Sequence, residues 1–218
     1  KVLFSVCLSK YKNENTSLGI DVSKWQGDID WNAVKEAGVE FAFIRLAYQD
    51  GFGGEYKKDK YFDNNINGAI KAGIKVGVYF YSYARSEEDA YAQADWIHSQ
   101  IKDYNVELPV VFDWESWNSF SKSEMSFYDI NKVAQEFIKR VEEHGNIGAL
   151  YSSKNYLEKI WYTDEFENIW LAHYTDKTNY TGKYKYWQMC DTGRVEGING
   201  AVDIDIWYRY NSLKFSLF

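Results

Sequence analysis

Apolar residues along this chain gather into short dense runs, separated by stretches in which they recur every three or four positions. The dense runs fall at residues 18–25, 41–48, 76–83, 108–115, 147–153, 169–174, 184–190 and 202–207. Each has the length and bounding turn residues of a strand. Between the first five runs the spacing turns helical. Residues 31–37 make a short helix stopped by Gly38, and residues 60–72 carry Phe62, Ile66, Ala69 and Ile70 on one stripe before Gly73. Ser86 followed by Glu87, Glu88 and Asp89 is an N-cap with acidic residues in the first turn. It opens a helix with Ala90, Ala94, Ile97 and Ile101 on its apolar face. Residues 128–144 repeat the pattern through Ile130, Val133, Phe137, Ile138 and Val141, ending at Gly145. Past Tyr174 the helical period fades and strands follow one another through loops.

Alternating strands and helices imply parallel strands joined by right-handed crossovers. About eight strands and about five helices predict an α/β fold, a modified TIM-like barrel whose last third is closed by strands with few helices. An open doubly wound sheet is the competing architecture. The G-x-G-x-x-G phosphate loop expected after its first strand is missing here. No linker divides the chain, and its 218 residues suffice for one sizeable core.

The fraction of aromatic residues, 19%, includes 9 Trp and 19 Tyr against 13 Phe. An excess of rings with polar handles suits the wall of a groove for sugars, which present flat apolar faces edged by hydroxyls. A net charge of −7 argues against nucleic acid, whose binding needs clustered Lys and Arg. No run approaches the ~18 apolar residues of a membrane span. The stretch from Val2 to Leu8 reads either as the stub of a secretion signal or as an extra edge strand or disordered arm. The second fits better, because neither an initiating Met nor a small-residue cleavage site is present. Two cysteines, Cys7 and Cys190, make no disulfide framework, and no metal-ligand spacing occurs.

Chemistry in a parallel barrel sits at the C-terminal ends of the strands. The fourth run is apolar until it ends in Asp113-Trp114-Glu115. Strand alternation puts Asp113 and Glu115 on one face, with Cα atoms ~6.6 Å apart, and turns Trp114 toward the helices. Carboxyls this close raise one another's pKa, leaving an acid beside a carboxylate, the pairing that glycoside hydrolysis needs. A bare D-x-E is also common in solvated loops after strands. Asp21 interrupts the first run, and Asp203 and Asp205 flank Ile204 in the last. Each could instead be a structural partner for Arg45 or a cap. Three strands bringing acid to one barrel mouth favour a site.

These segments resemble the glycoside hydrolase family 25 lysozymes. The likeness runs through Gly19-Ile-Asp21-Val-Ser-Lys-Trp-Gln-Gly27, Ile29-Asp30-Trp31, Phe43-Ile44-Arg45, Gly77-Val-Tyr79-Phe-Tyr81, Leu108-Pro-Val-Val-Phe-Asp113-Trp-Glu115, Trp170-Leu-Ala172-His-Tyr174, Trp187-Gln188 and Val202-Asp203-Ile-Asp205. The resemblance implies a catalytic barrel over residues 18–210, with an arm of unknown role at 1–17 and a tail at 211–218. It further implies hydrolysis of the β-1,4 bond between N-acetylmuramic acid and N-acetylglucosamine in peptidoglycan, with retention and without a cofactor. Glu115 matches the general acid, and Asp113, Asp21 and Asp203 match the other acidic positions. The D-x-E spacing fits an acetamido nucleophile steered by Asp113. Tyr79, Tyr81, Trp170, Tyr174 and Trp187 are the expected substrate-binding aromatics, Tyr81 and Tyr174 in the cleft and Tyr79 and Trp170 deeper.

Two positions depart from the family pattern. Asp205 stands where asparagine is common, a difference of small consequence if it faces the helix layer. Phe80 and Tyr81 follow Tyr79 where the family often has His-Phe. An enzyme of this kind would be extracellular or wall-directed, secreted or released by a phage. A chitinase or endo-N-acetylglucosaminidase also uses D-x-E, but with further Asp residues upstream, where this chain has Val111 and Pro109. A non-catalytic sugar-binding barrel is the third reading, and the intact acidic set argues against it.

Overall fold

The computed structural model describes residues 1–209. Tyr210 and the expected tail at 211–218 lie outside the described residues. The strands are β1 (Val2–Leu3), β2 (Thr16–Val22), β3 (Phe41–Gln49), β4 (Tyr56–Lys58), β5 (Lys75–Tyr81), β6 (Val110–Asp113), β7 (Gly148–Ser153), β8 (Ile169–Ala172), β9 (Tyr186–Arg194) and β10 (Val202–Tyr208). The α-helices are α1 (Phe4–Tyr11), α2 (Trp31–Glu36), α3 (Phe62–Lys71), α4 (Glu87–Ile101), α5 (Phe127–Glu143) and α6 (Lys154–Leu157).

Strands β2, β3, β5, β6, β7, β8 and β9 pair in that order, all parallel. Strand β10 closes the ring antiparallel to both β9 and β2. The α/β barrel of eight strands expected from the sequence is therefore present. The reversed strand follows from chain length. The connection from Arg194 to Val202 is too short for a parallel crossover, which takes about a dozen residues. Caps act as their residue types dictate: the Ser86 hydroxyl accepts from Asp89 N at 3.1 Å, and Ser126 and Asp129 form a capping box on α5.

Alternation along the strands builds two separate cores. The outer faces of the strands and the helices enclose one, with Ile20, Ile44, Phe80, Phe112 and Phe137 fully buried. The barrel interior holds the other, an aromatic stack in which Phe43 lies 4.4 Å from Trp170, with Phe41, Tyr186 and Trp207 beneath. Two glycines make room for it. A Cβ on Gly19 would meet the Phe41 ring at 2.6 Å, and one on Gly77 would meet the Phe43 ring at 2.6 Å.

The stretch from Val2 to Leu8 is only in part the edge strand read in the sequence, and it is not a disordered arm. Only Val2 and Leu3 form an edge strand, parallel to the far end of β9. The next eight residues are helical, and Thr16 already belongs to β2. Phe4, Cys7, Leu8 and Tyr11 share one helical face; Phe4 and Cys7 are buried in the outer core. The Tyr11 ring meets Trp187 edge-on at 6.1 Å. Helix α1 thus covers part of the wall that the helix-poor last third of the chain leaves bare.

Candidate active site

Register brings the acids together. Asp21 on β2 pairs with Asp203 on β10, and Asp113 at the end of β6 lies between Tyr81 on β5 and Tyr151 on β7. All of these point inward, at the end of the barrel where the parallel strands finish. Glu115 stands two residues beyond β6 and opens into the cleft above Asp113. Trp114 turns outward, as alternation requires. It is fully buried, donates to the Ala84 carbonyl at 3.1 Å and packs on Trp117, so the loop carrying Glu115 is anchored.

Asp113 and Glu115 are within hydrogen-bonding reach of each other. No N–H or hydroxyl donor among the described residues reaches Asp113 Oδ1. Two carboxyls in contact need a proton between them, and burial favours keeping it there. Both pKa values are raised: Asp113 strongly, by burial and then by the Glu115 charge, and Glu115 by burial, against a hydrogen bond from Asp113. The pair titrates as a unit.

Across the cleft, Gln188 on β9 organises the other acids. Its Nε2 donates to Asp21 Oδ2 at 2.8 Å and to Asp203 Oδ2 at 3.1 Å. Its Oε1 accepts from Tyr151 Oη at 2.8 Å and Tyr174 Oη at 3.1 Å. Burial raises Asp21 well above the carboxylate range, helped by Asp205 and opposed by the Gln188 hydrogen bond. Burial, with Asp21 and Asp191 nearby, pushes Asp203 up to about 9. Arg45 on β3 is the cation beside the acids, its guanidinium held by Asp59 at 2.7 Å.

The cleft is a groove of three joined compartments. The acids line the middle one, about 240 Å³. Glu115, Tyr151 and Tyr174 connect it to a cavity of about 420 Å³ over β7, α6 and β8. On the other side Arg45 and Tyr81 connect it to a cavity of about 350 Å³ beside Trp25.

Of the residues singled out in the sequence, Glu115, Asp113, Asp21 and Asp203 converge, and Tyr79, Tyr81, Trp170 and Tyr174 line the same compartment. Trp187 does not join them. Alternation on β9 sends Gln188 inward and Trp187 outward, where it is buried against α1 and donates to the His173 carbonyl at 2.8 Å. Asp205 faces the barrel interior, not the helix layer, because it shares a face with Asp203. It is fully buried and accepts from Trp170 Nε1 at 2.8 Å. Gln188, Arg45 and Tyr151 belong to the site and were not among the expected site residues. A glutamine inside the apolar run 186–190 was the available signal for the first.

The family model of the glycosyl hydrolases family 25 matches residues 20–198. The chain belongs to this family. It is 31% identical over 189 residues to the autolytic lysozyme of Clostridium acetobutylicum, covering 86% of this chain and 54% of that protein. With Lysozyme M1 of Streptomyces globisporus it shares 33% over 199 residues, 85% of this chain and 65% of the relative. The chain thus spans about half to two thirds of the length of these two relatives. Among solved structures, a family 25 glycosyl hydrolase from Bacillus anthracis superposes with a TM-score of 0.75 at 26% identity, covering 91% of each chain. The modular autolysin LytC of Streptococcus pneumoniae, solved with a synthetic peptidoglycan ligand, gives a TM-score of 0.76 at 27% identity over 90% of this chain and 48% of LytC. Among the described residues no helix is long and apolar enough to cross a membrane.

Proposed function

We propose that this protein is a muramidase that hydrolyses the β-1,4 bond between N-acetylmuramic acid and N-acetylglucosamine in peptidoglycan. The observation that carries this reading is the convergence of Asp113 and Glu115 in one compartment of an open aromatic groove. Glu115 is the member open to the cleft, so it is the general acid that protonates the leaving oxygen. Asp113 is the buried member; with the shared proton on Glu115 it bears the charge that faces the developing oxocarbenium ion. Carboxyls in contact cannot attack a sugar from opposite sides, which requires a separation of about 5 Å or more. The nucleophile is therefore the substrate's own acetamido oxygen, oriented by Asp113, and water then opens the cyclised intermediate with retention.

Asp21 and Asp203, held apart by Gln188, set the proton affinity of the cluster and place the sugar. The reaction as proposed draws only on side chains and water. Its substrate is the glycan strand of a bacterial wall, which implies a protein that is secreted or phage-released. The test is digestion of purified peptidoglycan beside chitin, with mass spectrometry of the products. New reducing ends on N-acetylmuramic acid, and none from chitin, are expected. Reducing ends on N-acetylglucosamine would instead establish the endo-N-acetylglucosaminidase reading.

A further inference from the structure

The cavity of about 350 Å³ beside the acidic compartment has no role in the chemistry above. Lys24, Trp25, Arg45, Tyr48, Tyr81 and Tyr83 are among the residues that form it. Trp25 is the most exposed large apolar side chain among the described residues, at 76%. An indole left in water forgoes most of its burial energy, and on a rigid support at the wall of a groove its flat face is available to a ligand. The support here is rigid. Trp25 sits in the 3-10 turn Lys24–Gln26, where the Ser23 side chain accepts from Trp25 N and the Gln26 side chain accepts from Ser23 N at 2.9 Å. Asp59 Oδ2 accepts from Lys24 N at 3.0 Å, and Gln26 Nε2 donates to the Ala201 carbonyl at 3.2 Å.

Charge around this cavity is not balanced. The carboxylate of Asp50 is paired with Lys57, and that of Asp59 with Arg45. Of the two cations lining this cavity, Lys24 and Arg45, Lys24 has no carboxylate partner among the described residues. Its Nζ lies 4.9 Å from the Trp25 ring centroid and 5.3 Å from that of Tyr48, a cation supported by two rings at the wall of the groove. In a protein of net charge −7, an uncompensated cation beside an exposed platform calls for an anionic ligand with a flat apolar face. A muramyl residue is such a ligand, because its lactyl ether or its stem peptide ends in carboxylate.

We infer that Trp25, Tyr48 and Lys24 form a distal subsite for a muramyl residue, with the sugar face on Trp25 and a substituent carboxylate at Lys24. This deepens the muramidase reading and rests on it. The subsite makes the enzyme selective for anionic wall glycan over neutral chains, through binding and not through turnover.

The experiment uses soluble peptidoglycan oligosaccharides in three forms: stems intact, stems removed by an amidase to free the lactyl carboxylate, and all carboxyls capped with methylamine. Calorimetric titrations are made with Glu115→Gln protein, which does not consume them, with and without Lys24→Gln. Steady-state rates are measured with Lys24→Gln and Trp25→Ala alone. Capping is expected to weaken binding about fivefold, the size of a partly exposed ion pair, and Lys24→Gln to abolish that difference. Whichever uncapped form shows the preference identifies the carboxylate as lactyl or stem. In turnover Lys24→Gln raises KM on anionic fragments with kcat unchanged, while Trp25→Ala raises KM about tenfold on all three. If Lys24→Gln still prefers uncapped fragments as its parent does, or if Trp25→Ala leaves KM unchanged, the subsite is disproved. Absence of new reducing ends with the unmodified protein would overturn the muramidase reading instead, and the titrations would still decide the role of Lys24.

Discussion

Glu115 and Asp113 differ by what surrounds each carboxyl, one open to the cleft and one sealed beneath it. Replacing Glu115 by Gln keeps shape and removes the transferable proton. Peptidoglycan turnover should fall by ~10²–10⁴-fold, with the melting temperature unchanged or raised; assays on purified wall beside thermal melts check this. Asp203 carries a prediction of the opposite kind. A carboxyl raised from 3.8 to about 9 binds its proton more tightly folded than unfolded. Its stabilising contribution is complete below the unfolded value and is lost as pH rises through about 9. Asp203→Asn cannot ionise and its amide oxygen still meets Gln188, so it should be less active but more stable by about 1–3 kcal/mol at pH 8, discounted because the cluster shares its protons. At pH 4 the two proteins should melt together. Denaturant titrations at both values test the sign, and an equal difference at both would assign the effect to packing.

At the scale of elements, β8 shows how one strand serves two purposes. Trp170, 2% exposed, stacks on Phe43 and donates to Asp205. Tyr174, just past the strand end, is 52% exposed and meets the Gln188 network through its hydroxyl alone. Trp170→Ala should cost about 3–5 kcal/mol and leave Asp205 without its donor. Tyr174→Ala should leave stability nearly unchanged and slow wall lysis. Melting curves and lysis rates on both variants decide it; the reverse pattern would mean that the depth assigned to this strand is wrong. The depth order of Tyr81 and Tyr174 above Tyr79 and Trp170 was legible from period-2 alternation and strand ends alone. Trp187 was not, because alternation says that neighbours oppose each other without saying which one faces in. On β9 the interior takes Tyr186 and Gln188, and that choice is made by the partners waiting there, Phe43 for the ring and four polar groups for the amide.

For the molecule as a whole, the helical coat is uneven. Helices α2 to α6 come from the first three quarters of the chain, while β9 and β10 contribute strands and loops. Helix α1, from the opposite end of the sequence, supplies cover for that side through Phe4, Cys7 and the Tyr11–Trp187 contact. Removing residues 1–11 should expose the outer face of β9 and lower stability by about 3–5 kcal/mol, or roughly 6–20 °C in melting temperature. Scanning calorimetry of the shortened chain checks this, and an unchanged Tm would show that α1 adds nothing to the fold.

Local sequence determined what local physics controls: strand and helix periods, the stops at Gly73 and Gly145, the cap at Ser86, and the inward pair at the end of β6. The acids of the site were legible because a carboxyl inside an apolar run is costly and stands out. Only the closed barrel decided the rest. It put Asp205 beneath Asp21, chose Gln188 to join β2, β7, β9 and β10, and laid α1 over β9. Each of these depends on contacts between residues far apart in the chain, whose energies no window of sequence contains until ring closure brings the partners within reach.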